Sequence, residues 1–315
     1  MKKLLSVFTI MAAGAFVSCD KNEYGIDNKT PNIKKEVNFS SNITKIELPL
    51  TRIAGTTWEK NDSIGIFMFK ETSTEIAESK SNIKYTTANG GEVGTFLPTG
   101  EIIFFPDNNE KVRFMSYYPY TSDISSFTYK VDVSDQSKQS AIDLLYCFAD
   151  TVLYDKITNS DKKVSLVFNH KLTKININIK PGDGLVGSDL ENTVVSFIGF
   201  NTKADFNLIS GTLSDPTEKN KITPLKITTA EKDYTVSFES IVIPVANPSD
   251  AKIVFDLNNG GDGINSDLFV WKFNTNELES GFEYIYNVTV KRSGIIVEAI
   301  IKEWENGGEK NIYAE

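Results

Sequence analysis

Short runs of alternating apolar and polar residues, separated by clusters of Gly, Asn, Asp and Ser, constrain the fold of this chain more than any other feature. In Phe282–Val290 the even positions are apolar or aromatic, and the odd positions are mostly polar. Successive side chains of a β-strand point to opposite faces, so this pattern buries one face and leaves the other wet. No stretch of the sequence keeps a 3.6-residue apolar period over three helical turns. The pattern therefore predicts an all-β protein.

Ten segments are predicted as strands from this alternation. They are Ser63–Lys70, Glu101–Phe105, Lys111–Tyr118, Phe127–Val133, Val164–His170, Lys174–Lys180, Lys252–Leu257, Leu268–Phe273, Phe282–Val290 and Ile295–Ile301. A further segment, Ser140–Ala149, fits either a short helix or a buried strand. Within Val164–Ile179 the apolar positions change from even to odd, which predicts a bulge or bend at Thr173–Lys174.

The N-terminus has the composition of a bacterial lipoprotein signal. Two lysines precede an apolar run, Leu4–Val17, and Ser18 stands directly before Cys19. The run is shorter than the about 20 residues that a membrane-spanning helix needs. We predict a signal peptide over residues 1–18, lipidation of Cys19, and a polar tether over residues 19–35. The alternative is an ordinary cleaved signal in which Cys19 is incidental.

The mature chain would have 297 residues, enough for two domains that each bury a core. The polar stretch Asp150–Lys163 predicts a boundary near residue 162, which gives an N-terminal domain over 36–162 and a C-terminal domain over 163–315. Loss of Lys2 and Lys3 with the signal leaves 31 basic and 42 acidic residues, a net charge of −11. Such a surface repels nucleic acid, so we expect no nucleic-acid partner.

Few residues suited to catalysis are present. His170 is the one histidine, and Cys147 is the one cysteine besides Cys19. His170 shares its parity with apolar neighbours, so we predict a buried, hydrogen-bonded structural histidine. The sequence contains no nucleophile elbow, phosphate-binding loop or dinucleotide fingerprint. We therefore expect no enzymatic activity and no cofactor.

Acidic residues offer two further hypotheses, a metal site and a glycosidase. The Gly-rich loops Gly182–Glu191 and Asn258–Asp267 lack the ligand spacing of a calcium loop, so we predict hairpin connections and no metal. Pairs such as Asp132 and Asp135 would suit glycoside hydrolysis only if they faced one cleft, and a sequence contains no such distance.

Aromatic residues leave a choice between core and binding surface. Trp58 and Tyr118 would make ligand contacts if their rings formed a sugar-stacking platform. Aromatic residues on alternating strands are more often core or cross-strand pairs. Both interpretations stand at this point.

Several segments, taken in order, resemble those of the fimbrillin-like proteins of Bacteroidetes. Each is weak alone, but their order after a lipoprotein signal is specific. The segments are TRIAGTTWEKNDSIGIFMF (Thr51–Phe69), FMSYYPYT (Phe114–Thr121), DLLYCFAD (Asp143–Asp150), VSLVFNHKLTKININI (Val164–Ile179), ADFNLISGTLSD, and SGFEYIYNVTV with the later IIKEW.

The resemblance implies two transthyretin-like β-sandwich domains in tandem, in a subunit or accessory of an adhesive surface fimbria. It implies a surface-exposed lipoprotein of the cell outer membrane, anchored by its N-terminal lipid, that becomes part of the fimbrium after processing. The resemblance also implies that an Arg-specific protease cuts after an arginine that follows the first strand. A strand from another fimbrial subunit then fills the opened groove, and main-chain hydrogen bonds supply the affinity.

Arg52 fits the processing step best of the three arginines. Arg113 and Arg292 lie within or beside predicted strands, whereas Arg52 lies between the candidate first strand, roughly Glu36–Leu50, and the strand that starts at Ser63. We predict cleavage between Arg52 and Ile53. The alternative is an uncut surface arginine.

The C-terminus makes a poor strand donor. After Trp304 the chain has a Gly pair and few apolar residues. This predicts a tip or accessory subunit that accepts a strand and donates none. The alternative is a permanently anchored surface lipoprotein that binds glycans or host ligands. The sequence does not indicate which host or bacterial surface ligand is bound.

Overall fold

A computed structural model describes residues 34–43, 57–148, 152–159, 163–214, 216–257, 268–273, 277–303 and 309–313. These residues form β-strands with two three-residue 3₁₀ helices, Gln139–Ala141 and Gly187–Asp189, and no α-helix lies among them. The all-β prediction is confirmed. In the same part of the chain no helix is long and apolar enough to cross a membrane.

The strands are numbered in chain order. The first eight are β1 Phe39–Ile43, β2 Ser63–Lys70, β3 Ile83–Thr87, β4 Val93–Pro98, β5 Val112–Tyr118, β6 Thr128–Asp132, β7 Leu145–Phe148 and β8 Val164–His170. The remaining strands are β9 Thr173–Pro181, β10 Val194–Ile198, β11 Asn201–Asn207, β12 Thr212–Leu213, β13 Thr217–Lys219, β14 Leu225–Ile227, β15 Val236–Val242, β16 Lys252–Asp256, β17 Leu268–Lys272, β18 Phe282–Lys291, β19 Gly294–Glu303 and β20 Glu309–Tyr313.

Seven strands form a sheet that closes on itself, which we call the closed sheet. Its order is β1-β4-β3-β2-β5-β7-β8, and the parallel pairing of β1 with β8 completes it. The other neighbouring strands are antiparallel. Each of the seven strands contributes buried apolar side chains to one common cluster. One face of every strand therefore surrounds a shared core, because alternate side chains point the same way.

Three further sheets follow. The largest has six strands in the order β14-β15-β9-β18-β19-β20, and β10-β16-β17 forms a three-stranded sheet. In the last sheet β11 pairs with β12, β13 and also β6, so a strand from the first half of the chain is hydrogen-bonded to the second half. A second apolar cluster gathers side chains from these sheets and from β2 and β5.

Strand β2 shows how the closed sheet joins the rest. Ile64, Ile66 and Met68 belong to the core of the closed sheet, whereas Phe67 and Phe69 belong to the second cluster. Both faces of β2 are therefore buried, which explains its continuous apolar sequence.

A glycine in β2 is required by an aromatic ring. Gly65 pairs with Tyr117 of β5, and a Cβ at Gly65 would collide with the Tyr117 ring. The Tyr117 hydroxyl lies 2.7 Å from Asn82 Oδ1 and 2.8 Å from the Thr121 carbonyl oxygen, which holds the ring in place. The glycine of the SIGIF motif thus provides close approach of a side chain to the backbone.

The change of apolar parity within Val164–Ile179 marks a passage between sheets. Strand β8 belongs to the closed sheet and β9 to the six-stranded sheet, with Lys171 and Leu172 between them. The segments Val164–His170 and Lys174–Lys180 are thus separate strands, as predicted, and the interruption between them lies at Lys171 and Leu172 rather than at Thr173–Lys174. Sheet membership changes here, after the boundary predicted near residue 162, and the domain ranges 36–162 and 163–315 stay a prediction.

Nine of the ten predicted strands coincide with observed ones. The exception is Glu101–Phe105, which makes one isolated bridge, Phe104 to Glu36. Its alternation arises because Ile103 and Phe105 are buried beside the closed sheet. The ambiguous Ser140–Ala149 contains the end of a 3₁₀ helix and then the strand β7.

The face of β18 that was predicted to be exposed to solvent is exposed only in part. Of the even positions, Tyr284, Tyr286, Val288 and Val290 are buried as predicted, and Phe282 is half-buried. On the opposite face Glu283 and Ile285 are also buried, whereas Asn287 is half-buried. This face lines a cleft that is described below.

Candidate assembly site

Strand β1 occupies an interior position in the closed sheet. It pairs with β4 in antiparallel and with β8 in parallel register, so that Phe39 lies opposite both Phe96 and Val164. Both backbone edges of β1 are thus hydrogen-bonded. Removal of β1 would leave two unpaired strand edges facing one gap, which is the arrangement that an added strand fills.

Alternate side chains of β1 point into the core. Phe39 is fully buried and Ile43 is 3% exposed, while Ser40 and Asn42 between them are half-buried. The Phe39 ring makes edge contacts with Tyr85 and Phe114, with centroids 5.2 and 5.1 Å away. The strand is therefore an integral part of the core, held by side chains as well as by main-chain bonds.

The residues predicted for lipidation and processing, Cys19, Arg52 and Ile53, lie outside the described residues. The other two arginines are described. Arg113 lies in β5, and its Nη2 donates to the Ser73 carbonyl oxygen at 2.6 Å. Arg292 follows β18, and its Nε donates to the Gly184 carbonyl oxygen at 2.8 Å. Both are therefore held against the backbone of folded segments.

The predicted ligand-contact aromatics, Trp58 and Tyr118, are buried. Trp58 is 2% exposed and Tyr118 is 7% exposed, and the centroids of their rings lie 5.5 Å apart. Trp58 also makes edge contacts with Phe96 and Phe168, and it packs over Gly94, where a Cβ would leave too little room. A stacking platform needs an exposed ring face. The burial thus favours the alternative in which these rings are core residues.

A cavity of about 290 Å³ lies beside these two rings. Among its lining residues is Asp62, which accepts hydrogen bonds from the Tyr118 hydroxyl at 3.1 Å and from the Glu59 N–H at 2.7 Å. Burial raises the pKa of Asp62, and these hydrogen bonds partly offset that effect. Its carboxylate therefore fixes the chain around Trp58.

His170 is a buried structural residue, as predicted. It is 1% exposed, and its Nδ1 lies 2.9 Å from Oδ1 of Asp143, which is 5% exposed. The contact connects the end of β8 to the segment before β7, and so supports the closed sheet.

Of the two Gly-rich loops, the first makes internal contacts and the second, Asn258–Asp267, lies outside the described residues. Asp183 pairs with Lys291 at 3.2 Å, and the Asp189 carboxylate accepts from the Val186 N–H at 2.9 Å. Among the residues described, no three His, Cys, Asp or Glu side chains gather as metal ligands would.

A buried ionic cluster on the six-stranded sheet was not predicted. Lys174 is 3% exposed, and its Nζ lies 2.8 Å from Glu239 and 3.9 Å from Glu283. The sequence signal is the run KININIK, in which Lys174, Asn176 and Asn178 are polar residues of one parity inside an otherwise apolar strand.

We expect Cys147 to resist thiol reagents in the folded protein. The side chain is buried, and burial raises the pKa of its thiol to about 11. The thiolate fraction near neutral pH then falls about a hundredfold below that of an ordinary cysteine. In a Cys19→Ser chain, a colorimetric disulfide reagent should react with one thiol quickly in denaturant and at least tenfold more slowly without it. Equal rates would contradict the burial.

Comparison with known proteins agrees with this architecture. The family model of fimbrillin-like proteins matches residues 51–304. A candidate fimbrium subunit of Bacteroides uniformis, Fim1C, is 33% identical over 274 residues, which cover 84% of this chain and 85% of that protein. The crystal structure of a candidate cell adhesion protein from Bacteroides uniformis superposes with a TM-score of 0.69 at 28% identity, over 85% of this chain and 98% of that one.

A more distant likeness concerns the fold alone. The tip fimbrial protein Mfa3 of Porphyromonas gingivalis, solved with a C-terminal truncation, superposes with a TM-score of 0.50 at 9% identity, over 86% of this chain and 100% of that one. The relatives are thus described as fimbrial or cell adhesion proteins. This chain belongs to the fimbrillin-like family, as its ordered motifs predicted.

Proposed function

We propose that this protein is a fimbrial subunit of the tip or accessory kind that mediates surface adhesion. Its first strand is removed by proteolysis, and a strand from another fimbrial subunit takes the place of β1. The observation that carries the proposal is the interior position of β1, which is paired on both sides and buries alternate side chains. An incoming strand with apolar residues at alternate positions would meet the same pockets.

The proposed cleavage lies between Arg52 and Ile53. In the sequence this bond stands between the end of β1 at Ile43 and the start of β2 at Ser63. A cut there separates β1 from the remaining strands of the closed sheet without breaking any of them. Arg113 and Arg292 are less suited, because each is hydrogen-bonded within folded structure.

The tip or accessory role rests on the C-terminal segment. Strand β20 pairs with β19 of its own six-stranded sheet, from Glu298 opposite Tyr313 to Lys302 opposite Glu309. A strand that is paired within its own chain is less available to another subunit. Long homopolymers formed by the purified protein alone would refute this role.

We further propose that each half of the chain is a transthyretin-like sandwich, and that Cys19 carries the lipid. The protein then reaches the outer face of the outer membrane as a lipoprotein and enters the fimbrium after processing. In favour of a surface role are the family, the signal-like N-terminus and the acidic net charge, which disfavours nucleic acid as a partner.

The mature N-terminus tests the assembly mechanism. Protein isolated from its own cell surface should begin at Ile53, and an Arg52→Ala variant should begin at acylated Cys19, because the protease has lost its arginine. The Arg292→Ala variant is the matched control and should still begin at Ile53. Intact mass and peptide mapping distinguish these products. A wild-type chain that begins at acylated Cys19 would instead support a permanently anchored surface lipoprotein.

A further inference from the structure

A cleft of about 780 Å³ lies on the six-stranded sheet, on the face opposite the apolar core. Its floor is formed by residues that face one another across three neighbouring strands. Asn176 of β9 lies between Glu239 of β15 and Ile285 of β18, and Asn178 lies between Ser237 and Asn287. The segment between β14 and β15 supplies one wall. Its volume is in the range of small-molecule sites.

Hydrogen bonds hold the polar groups of the floor in place. Asn176 Nδ2 donates to Glu283 at 2.6 Å, Asn178 Nδ2 donates to Asn287 Oδ1 at 3.1 Å, and the Ser237 hydroxyl donates to Asn178 Oδ1 at 2.8 Å. Such a floor needs little rearrangement to receive a ligand.

One buried acceptor of the floor is left over. The Asn176 Oδ1 atom is buried, and it has no hydrogen-bond partner among the described residues. Buried amide oxygens are nearly always paired, because an unpaired one costs free energy. A ligand hydroxyl or N–H placed in the cleft would supply the missing donor.

The charges of the cleft disfavour an anionic ligand. Lys174 lies against the carboxylates of Glu239 and Glu283, so its ammonium already has partners. The lining also includes Glu231 and Lys232, so the cleft holds three carboxylates and two ammonium groups. An anionic ligand would meet this excess of negative charge.

The cleft also contains an aromatic ring that is accessible. Tyr234 lines the cleft wall and is half-buried, and Lys180 Nζ lies 5.6 Å from its ring centroid. A half-buried ring that lines the same cleft as ordered amides offers both an apolar surface for C–H groups and polar groups for hydroxyls.

We propose that this cleft binds a neutral oligosaccharide. The hydroxyls of a pyranose ring can donate to Asn176 Oδ1 and form hydrogen bonds with the polar side chains of Asn178 and Ser237. The C–H face of the same ring can pack against Tyr234. The proposal supplies a ligand class for the adhesive role proposed above, and it does not depend on strand exchange.

Binding of defined saccharides to the full-length chain tests this inference. The probes are lactose, cellobiose and N,N′-diacetylchitobiose, with sialyllactose as an anionic counterpart, followed by saturation-transfer NMR and calorimetry. We expect at least one neutral probe to bind and sialyllactose to bind more weakly than lactose. Asn176→Ala and Tyr234→Ala should each weaken the binding about tenfold.

Tyr120→Ala is the matched control. Tyr120 is also half-buried beneath a lysine, with Lys84 Nζ 5.2 Å from its ring, but it lies outside the cleft. The Tyr120→Ala variant should leave saccharide binding unchanged. Circular dichroism should show that all three variants are folded. The inference is overturned if no neutral probe binds, or if the cleft variants bind like Tyr120→Ala. Neither result alters the mature N-terminus, so failure here is distinguishable from failure of the assembly mechanism.

Discussion

Replacement of Phe39 by alanine is expected to lower the free energy of unfolding by about 3–5 kcal/mol. Phe39 is fully buried at the start of β1, and its ring contacts those of Tyr85 and Phe114. The substitution removes apolar contacts and leaves a cavity between strands that pair on both sides of β1. Chemical denaturation of the unprocessed chain, followed by tryptophan fluorescence, measures the change.

Ser40→Ala is the matched control for this prediction. It lies next to Phe39 in the same strand, points away from the core and is half-buried, so its effect should stay within about 0.5 kcal/mol. In chains that have been cut after Arg52 and have exchanged β1, Phe39→Ala should no longer matter, because residue 39 is on the released segment. If Phe39→Ala lowered the free energy of unfolding equally before and after exchange, displacement of β1 would be contradicted.

Replacement of Lys174 by methionine is expected to cost about 3–5 kcal/mol. The substitution keeps most of the side-chain length but leaves the buried carboxylate of Glu283 and the half-buried carboxylate of Glu239 beside an apolar group. Lys130→Met is the matched control. Its pair with Asp205, at 2.7 Å, is exposed to solvent, so its removal should cost at most about 1 kcal/mol. Equal losses in the two variants would show that water reaches the Lys174 cluster.

The same cluster sets a pH dependence. Burial disfavours the Lys174 ammonium, but the charges of Glu283 and Glu239 outweigh burial and raise its pKa above the ordinary range. A raised lysine pKa stabilises the fold fully below the unfolded-state pKa, about 10.4, and this stabilisation is lost as the pH rises through the folded-state pKa. The difference in stability between wild type and Lys174→Met should therefore be constant from neutral pH to about pH 10 and shrink above it. A difference that grows with pH would contradict this assignment.

Local patterns predicted strand positions well because they depend on near neighbours in sequence. Alternation located β8 and β18, and the parity change in Val164–Ile179 marked a real interruption between two strands. The same alternation failed at Glu101–Phe105, where burial of Ile103 and Phe105 produces the pattern without a strand. Alternation records which side chains are buried, and burial requires no hydrogen-bonded ladder.

For the candidate assembly site as well, the sequence predicted some features and did not indicate others. The sequence places Arg52 between the first two strands, and it indicates that His170 is buried. It does not indicate that β1 lies between β4 and β8. The pairing of β1 with β8 joins residues that are more than a hundred positions apart in the sequence. It also left open whether Trp58 and Tyr118 are exposed. Trp58 packs against Phe96, Phe168 and Tyr118, and both rings are buried.

By itself, the sequence determined the all-β class, most strand positions, the signal-like N-terminus and the family, since each depends on residue type and short-range order. Only the tertiary structure decided which strands are neighbours, that both edges of β1 are paired, and that Lys174, Asn176 and Glu283 form the floor of one cleft. The physical reason is that these features arise from pairings between distant segments. Strand pairing uses main-chain hydrogen bonds that every residue other than proline can make, so residue identity alone does not specify the partner.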